Sequence, residues 1–337
     1  MIFINCYMKI GIHCNQFDGR GSSKASFDYG VALQTILNHD PIFITSSQNK
    51  NEGLKNIQSR FNVVTYNMPP IHNQMPEQII QTKSILSNII DSEKIEFLHM
   101  IKSGQNDNVT TNNCKIGIHC VFLMNEPHGS VYAGVSKWIA EKFNQILYVP
   151  HIIKNIQPTK NLRKELNIPE TSLLIGRCGG ADSFNVDFVK EAIKIVLEHK
   201  KDIYFLFLST NKFIEHERVI FFPWVETEQE KFNFIHSCDA MIHARHGGES
   251  FGLACGEFSV ANKPVITWSG IGDIWPHDKN HLEVLGDKAL IYNDLQELVD
   301  ILYNIDKSFI NSHNWDMYSK DYNEEVVINK YKEVFLS

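Results

Sequence analysis

Residues 239–267, DAMIHARHGGESFGLACGEFSVANKPVIT, decide the fold prediction. DAMIHA (239–244) is an apolar run of strand length, and RHGGES (245–250) is the polar, glycine-containing loop that follows it. FGLACGEFSVA (251–261) reads as a helix, and the next strand starts with VIT (265–267). A strand, a helix and a second strand in this order form one βαβ unit of a parallel sheet. Ligands of such sheets bind at the carboxyl ends of the strands, against helix N-termini.

The start of this predicted helix is suited to an anion. Ser250 is the expected N-cap, and the first turn offers backbone amides and the positive end of the helix dipole to a phosphate. Gly247, Gly248 and Gly252 allow a ligand to approach the backbone, because glycine has no Cβ. Pro264 ends the unit's helix, since proline cannot continue one.

Two glutamates, Glu249 and Glu257, lie eight positions apart around this helix. Eight helical residues span about 12 Å at 1.5 Å per residue. A nucleotide-sugar would fit, with its sugar near Glu249, its pyrophosphate over the amides and its ribose diol near Glu257, since carboxylates accept hydrogen bonds from hydroxyls. A purely structural interpretation stays open, because an apolar stripe on the same helix would pack on a sheet in any α/β protein. The stripe consists of Phe251, Ala254, Phe258 and Ala261.

The rest of the chain repeats this alternation of short apolar runs and longer amphipathic ones, which predicts an α/β protein with parallel sheets. Strands are predicted in the first half at 9–14, 41–46, 62–67, 95–100, 115–122 and 146–150, and helices at 27–37 and 130–143. Strands are predicted in the second half at 173–177, 203–210, 219–225, 239–244 and 264–269, and helices at 186–200, 294–305 and 323–335. The hexapeptide KIGIHC occurs at 9–14 and 115–120 in different flanks, which indicates two similar buried strands rather than a duplication.

These elements predict two Rossmann-like domains, 1–150 and 151–315. The terminal helical segment, 316–337, could pack back on the first domain. A length of 337 residues agrees with two domains of ordinary size.

Composition excludes several classes of function. The formal net charge of -7 argues against nucleic-acid binding, which requires a basic face. The seven cysteines contain no C-x-x-C spacing, so we expect free thiols and a reducing, cytoplasmic location. The N-terminus lacks the pattern of a signal peptide, no apolar run reaches the roughly 18 residues of a membrane span, and no basic amphipathic face supports membrane association.

The segment ESFGLACGEFSVANKPVIT (249–267) resembles the E-x7-E motif of the retaining glycosyltransferases of family 4, which have the GT-B fold. The motif residues present are Glu249, Phe251, Gly252, Leu253, Glu257, Pro264, Val265 and Ile266. Three further segments, 135–139, 162–177 and 231–245, are similar to parts of the same family. The resemblance implies two Rossmann-like domains that face each other across a cleft.

The resemblance also implies roles for individual residues. Glu249, His119 and Arg177 would be catalytic: Glu249 at the donor sugar hydroxyls, His119 at the reaction centre and Arg177 at the departing phosphate. Backbone amides within the motif would hold the sugar and diphosphate of the donor, and Glu257 would bind its ribose. The donor-binding set is Phe251, Gly252, Leu253, Glu257, Gly248 and Arg245.

One departure from the family concerns phosphate binding. The family usually has a lysine a few residues after the arginine, but GRCGGADSFNVDF (176–188) has none. Arg245, Lys102 and Lys137 are candidate replacements. The loop GRGSSK (19–24), with Gly19 and Gly21, is assigned together with Lys102 to the acceptor or the diphosphate.

The resemblance implies a UDP- or GDP-sugar donor, a carbohydrate or other hydroxyl acceptor, retention of configuration and no cofactor. No metal-binding motif such as H-E-x-x-H is present, and GT-B transferases generally work without a bound metal. Two alternatives stay open: a GT-B nucleotide-sugar 2-epimerase, and a non-catalytic nucleotide- or carbohydrate-binding relative.

Overall fold

The computed structural model describes residues 7–18, 21–225 and 227–337. Its contacts divide the chain into two compact units. Unit 1 comprises the chain up to Ile152 together with Tyr322–Ser337, and unit 2 comprises Ile153–Asp321. The sequence places the corresponding boundaries after residues 150 and 315.

Unit 1 contains a six-stranded parallel sheet in the order β3-β2-β1-β4-β5-β6. The strands are β1 (Lys9–Cys14), β2 (Asp40–Ser46), β3 (Asn62–Tyr66), β4 (Phe97–Lys102), β5 (Lys115–Cys120) and β6 (Val131–Gly134). The helices of this part are α1 (Gly21–Thr35), α2 (Leu54–Gln58), α3 (Pro76–Glu93) and α4 (Lys137–Lys142). The two KIGIHC copies are β1 and β5 on either side of β4, which confirms that they are similar buried strands.

The prediction of one helix over 130–143 is wrong in its first half. Val131–Gly134 forms strand β6 beside β5, because the β-branched Val131 and the aromatic Tyr132 favour a strand and three of the four residues are buried there. The helix starts only after Ser136, whose hydroxyl accepts a hydrogen bond from the backbone amide of Ile139 at 3.2 Å. The predicted strand at 146–150 is reduced to a bridge between Gly134 and Tyr148, and the 18-residue helix α3 was not predicted.

Unit 2 contains a second six-stranded parallel sheet, in the order β14-β12-β10-β7-β8-β9. Its strands are β7 (Leu173–Cys178), β8 (Ile203–Leu208), β9 (Val219–Phe222), β10 (Ala240–His243), β12 (Val265–Trp268) and β14 (Leu290–Tyr292). A separate parallel pair is formed by β11 (Gly248–Glu249) and β13 (Asp278–Lys279). Its helices are α5 (Leu162–Glu165), α6 (Asp187–His199), α7 (Glu228–Ser237), α8 (Leu253–Val260), α9 (Asn280–Leu285), α10 (Leu295–Asn304) and α11 (Lys307–Asn311).

The last helix, α12 (Glu324–Phe335), belongs to unit 1, where it contacts α1. Its buried face includes Tyr331 and Phe335, which join the core on one side of the first sheet. A Cβ at Gly117 of β5 would lie 2.7 Å from Cδ1 of Phe335, so glycine at this position lets the helix approach the strand. Within the described ranges, no helix combines the length and the apolar character that crossing a membrane requires.

Candidate functional site

Helix α8 starts later than predicted. Its first residue is Leu253 and its N-cap is Gly252, whose φ of 89° lies in the left-handed region that favours glycine. The expected N-cap, Ser250, is therefore wrong, because Gly252 takes that position and has no side chain with which to cap the helix. The first turn of α8 presents the positive end of the helix dipole. Glu249 lies on β11, outside the helix, so the span of about 12 Å calculated for eight helical residues does not apply.

Gly248 fixes the course of the loop between β10 and α8. It pairs with Asp278 in the β11–β13 ladder and has a φ of 62°. A Cβ at this position would lie 2.1 Å from the carbonyl oxygen of Asp278, which is closer than any real contact. The loop therefore needs glycine here to carry Glu249 into place.

Glu249 is held by two cationic or protonatable side chains. Its Oε1 lies 3.2 Å from Nε2 of His243, the last residue of β10, and its Oε2 accepts a hydrogen bond from Nη1 of Arg245 at 2.8 Å. Burial raises the pKa of Glu249, but the hydrogen bond from His243 and the charge of Arg245 outweigh it and hold that pKa at about 2. About a fifth of the side chain is exposed, 21%. Glu249 is thus an ionised, accessible acceptor at the carboxyl end of the sheet.

A second carboxylate, Asp273, anchors the loop that follows β12. It accepts hydrogen bonds from Nδ1 of His246 at 2.7 Å, from Nδ1 of His277 at 2.6 Å and from the backbone amide of Gly247 at 2.8 Å. Burial opposes ionisation of Asp273, but these hydrogen bonds hold its pKa far below the ordinary value. Asp273 therefore ties the β12–β13 loop to the Gly247–Gly248 turn.

Glu257 lies in the second turn of α8, and its side chain is 4% exposed. Its Oε1 is 2.5 Å from Nζ of Lys231 on α7, whose side chain is 20% exposed, so the ion pair is buried at the carboxylate and partly open at the ammonium group. A ribose at this position would meet both a carboxylate and an ammonium group.

Arg177, near the end of β7, is buried with polar partners from two loops. It donates to Oγ1 of Thr210 at 2.7 Å, to Oγ of Ser183 at 2.6 Å and to the carbonyl oxygen of Gly180 at 2.8 Å. Burial lowers the pKa of Arg177 to about 10, so the guanidinium is still charged at neutral pH. The side chain holds the loops after β7 and β8 together at the carboxyl edge of the sheet.

His119 lies in the core of unit 1 and has no exposed surface. Its Nε2 donates to the carbonyl oxygen of Val149 at 2.8 Å, so its Nδ1 accepts from Nε2 of His99 at 3.1 Å. Burial lowers the pKa of His119 to about 4, although the Val149 carbonyl opposes this. In this arrangement both ring nitrogens are engaged within unit 1.

Lys102 and Gly21 also lie in unit 1. Lys102 ends β4, and its buried ammonium group lies 2.5 Å from Oδ1 of Asp107 and 3.4 Å from Nε2 of His128. Gly21 is the exposed first residue of α1. Gly19 falls outside the described residues.

The structure adds residues to unit 2's candidate site that the sequence reasoning missed. They are His243, Thr267, His281, Asp273 and Lys231. The signal that could have revealed two of them is a polar residue within an apolar strand, as His243 is in AMIH and Thr267 in VITW. Six cysteines in the described ranges are free thiols, and no three metal-ligating side chains converge there.

No protein-family model matches the chain, and no curated protein matches it. Solved structures do match over nearly its whole length. Anabaena Alr3699/HepE in complex with UDP and glucose shares 12% identity with a TM-score of 0.74, covering 98% of this chain and 100% of that one. A glycosyltransferase from Rickettsia africae ESF-5 shares 13% identity with a TM-score of 0.67, covering 98% and 94%.

A third match is to a protein of another class. The protein assigned as a UDP-N-acetylglucosamine 2-epimerase in Listeria monocytogenes shares 10% identity with a TM-score of 0.64, covering 97% of this chain and 96% of that one. At these identities the matches establish the fold. The chain has the GT-B fold with two Rossmann-like domains, each built on a six-stranded parallel sheet.

Proposed function

We propose that the chain is a glycosyltransferase that moves a sugar from a nucleotide-sugar to a hydroxyl acceptor, with retention of configuration and without a bound metal. The observation that carries this proposal is Glu249, an ionised carboxylate beside the first turn of α8. The carboxylate of Glu249 offers hydrogen-bond acceptors for sugar hydroxyls. The first turn of α8 offers the positive end of a helix dipole for a diphosphate.

The donor would lie along the segment from β11 to α8. Glu249 accepts hydrogen bonds from the sugar, and the backbone of Phe251, Gly252 and Leu253 holds the diphosphate at the end of the helix. The Glu257–Lys231 pair faces the ribose, where the carboxylate accepts from the diol and the ammonium donates to its oxygens. UDP is the nucleotide bound in the HepE structure, which favours uridine as the base to test first.

In the transfer, the bond between the anomeric carbon and the β-phosphate oxygen breaks as a bond to the acceptor oxygen forms on the same face. The acceptor proton passes to the departing phosphate. Arg177 and Arg245 supply positive charge where this phosphate gains negative charge, since fixed cations stabilise a leaving group in place. Since both ring nitrogens of His119 are engaged in the core and the side chain has no exposed surface, we assign it to support of unit 1 rather than to contact with the donor at the reaction centre.

Ligand-dependent melting tests the proposal. UDP, GDP, ADP, CMP and their sugar conjugates are titrated against the protein, and a ligand at 100 times its dissociation constant adds about 2.7 kcal/mol of stability, a shift of a few degrees. One nucleotide should stabilise the wild type, and Glu257→Ala should lose that response while the exposed-site control Glu283→Gln keeps it. Absence of a shift with every nucleotide would overturn the proposal.

The epimerase alternative is separated by leaving out the acceptor. The similarity to the Listeria protein is the reason to test for epimerase activity. Conversion of UDP-N-acetylglucosamine alone into its C2 epimer would identify an epimerase, whereas a transferase consumes donor only as product forms with an acceptor. Binding without either reaction across a broad acceptor panel would favour a non-catalytic relative.

A further inference from the structure

A chain of hydrogen bonds leads from Glu249 into the core of unit 2. Nε2 of His243 lies 3.2 Å from Oε1 of Glu249, and Nδ1 of His243 lies 3.0 Å from Oγ1 of Thr267. The same Thr267 oxygen lies 3.1 Å from Nε2 of His281. The members come from β11, β10, β12 and α9, and Thr267 and His281 have no exposed surface. Four side chains from distant parts of the sequence therefore form one continuous path.

The carboxylate of Glu249, at one end of the path, decides which group donates in each hydrogen bond. A carboxylate only accepts, so Nε2 of His243 donates to Glu249. When His243 is neutral, its Nδ1 accepts from the Thr267 hydroxyl, whose oxygen in turn accepts from Nε2 of His281. Burial keeps the pKa of His281 well below its ordinary value. Nδ1 of His281 is buried with no hydrogen-bond partner in the described ranges, so the path ends there.

Thr267 occupies a strand position where an apolar residue is the usual choice. Its neighbours Ile266 and Trp268 are buried, and His243 is its register partner on β10. A buried hydroxyl is unfavourable unless it is hydrogen-bonded, and here it bridges two imidazoles. The Thr267 hydroxyl fixes the orientation of the His243 ring, and that ring in turn fixes Oε1 of Glu249.

We infer that Thr267, together with His281, is a positioning residue that orients Glu249 through His243 for contact with the donor sugar. This inference rests on the proposed function. Arg245 holds the other carboxylate oxygen from a partly exposed position, its side chain 34% exposed, so the buried path is the more rigid of the two supports. Loss of the path should affect recognition of the sugar and leave recognition of the nucleotide unchanged.

Calorimetry with UDP and UDP-glucose measures these two parts separately. In Thr267→Val, which keeps the shape and removes the hydroxyl, we expect the affinity for UDP-glucose to fall about tenfold while that for UDP changes less than about twofold. Thr267→Ser, which restores the hydroxyl, should recover the affinity for UDP-glucose. Thr171→Val, at an exposed position of unit 2, is the matched control and should leave both affinities unchanged.

The outcomes separate this inference from the proposal on which it rests. If the wild type binds UDP-glucose no more tightly than UDP, the sugar site at Glu249 is wrong. If the wild type prefers UDP-glucose and Thr267→Val keeps that preference, the positioning role is overturned. Should Thr267→Val not fold, Thr267→Cys replaces it: a preference below that of Thr267→Ser supports the role, and an equal preference overturns it.

Discussion

Each unit contains a group of histidines, and the two groups differ in the partners that surround them. In unit 1, His119 packs against His99 and His151. All three rings contact Tyr29, and those of His99 and His119 also contact Phe335. Burial lowers the pKa of all three, to about 4 for His119. These rings are neutral members of a core at physiological pH.

In unit 2 the histidines face carboxylates. His243 lies beside Glu249, and His246 and His277 lie on either side of Asp273. Both carboxylates are ionised because their hydrogen bonds outweigh the effect of burial. A histidine in a buried strand therefore does not by itself indicate a site. An ionised partner that is also exposed enough to meet a ligand, Glu249 with 21% of its side chain exposed, distinguishes unit 2's group from unit 1's.

Among the variants that test this difference between the two histidine groups, we expect Glu249→Gln to have the largest effect. This variant removes the negative charge that accepts sugar hydroxyls, so transfer from the nucleotide-sugar should fall by about 10²–10³ while UDP still binds. Initial rates with the donor identified by melting measure the change. Glu283→Gln serves as the control, and a Glu249→Gln enzyme with half or more of wild-type turnover would contradict the role.

The next largest expected effect is the loss of stability of unit 1 at acidic pH. Because the folded pKa of His119 is about 4 and the unfolded value is 6.5, the unfolded chain binds a proton between these values that the folded chain does not. Stability is complete above pH 6.5 and is lost as pH falls, by about 3 kcal/mol for His119 across this window. Hydrogen exchange of the β4 and β5 amides at pH 7 and pH 4, corrected for intrinsic rates, measures it. His119→Gln should weaken this pH dependence, and the exposed control His72→Gln should not.

A smaller effect is expected from Asp273→Asn in unit 2. The amide cannot accept the bonds of His246, His277 and Gly247 as a carboxylate does, so we expect a loss of about 1–3 kcal/mol, seen first as faster proteolysis of the 269–277 loop. The pKa of Asp273 is depressed when folded, so its contribution is present above the ordinary aspartate pKa and disappears as pH falls through the folded value. Asp287→Asn, at an exposed position, is the control. Equal proteolysis of the two variants would show that Asp273 does not anchor the loop.

The smallest effect is expected from Arg245→Gln. The partly exposed Arg245 is one of two supports for Glu249, so its loss should raise the pKa of Glu249 while His243 still holds it below its ordinary value. The free energy of unfolding should change by less than about 1 kcal/mol. Carboxyl ¹³C titration by NMR measures the pKa, and an unchanged value would show that His243 alone controls it.

The sequence predicted both sheets because their strands are short apolar runs separated by amphipathic segments. It predicted the GT-B fold through the resemblance around Glu249 and Glu257. The failures are local. Ser250 looked like an N-cap because residue preference was considered without the backbone angle of Gly252, and 130–143 looked helical because a strand and a short helix follow each other without a clear break.

The buried hydrogen-bond path could not be predicted in the same way. His243 and Thr267 are 24 positions apart and His281 lies 14 positions further, so only the register of β10 and β12 brings them together. His119 shows the converse problem. A histidine near the end of a strand looks the same in the sequence whether it belongs to a core or to a functional site. The hydrogen bonds of His119 to His99 and Val149 distinguish the two cases, and these partners lie in other segments of the chain.

The return of the chain to unit 1 through α12 has a consequence for synthesis on the ribosome. Residues 153–321 are continuous and can complete their core as they emerge, but the first core also needs Tyr331 and Phe335 from the last helix. The core of unit 1 therefore stays incomplete, with the apolar surface beside Tyr29 and Phe97 uncovered, until α12 has been synthesised. Unit 1 is therefore synthesised first and completed last, and its uncovered apolar surface is the part of the nascent protein most exposed to aggregation.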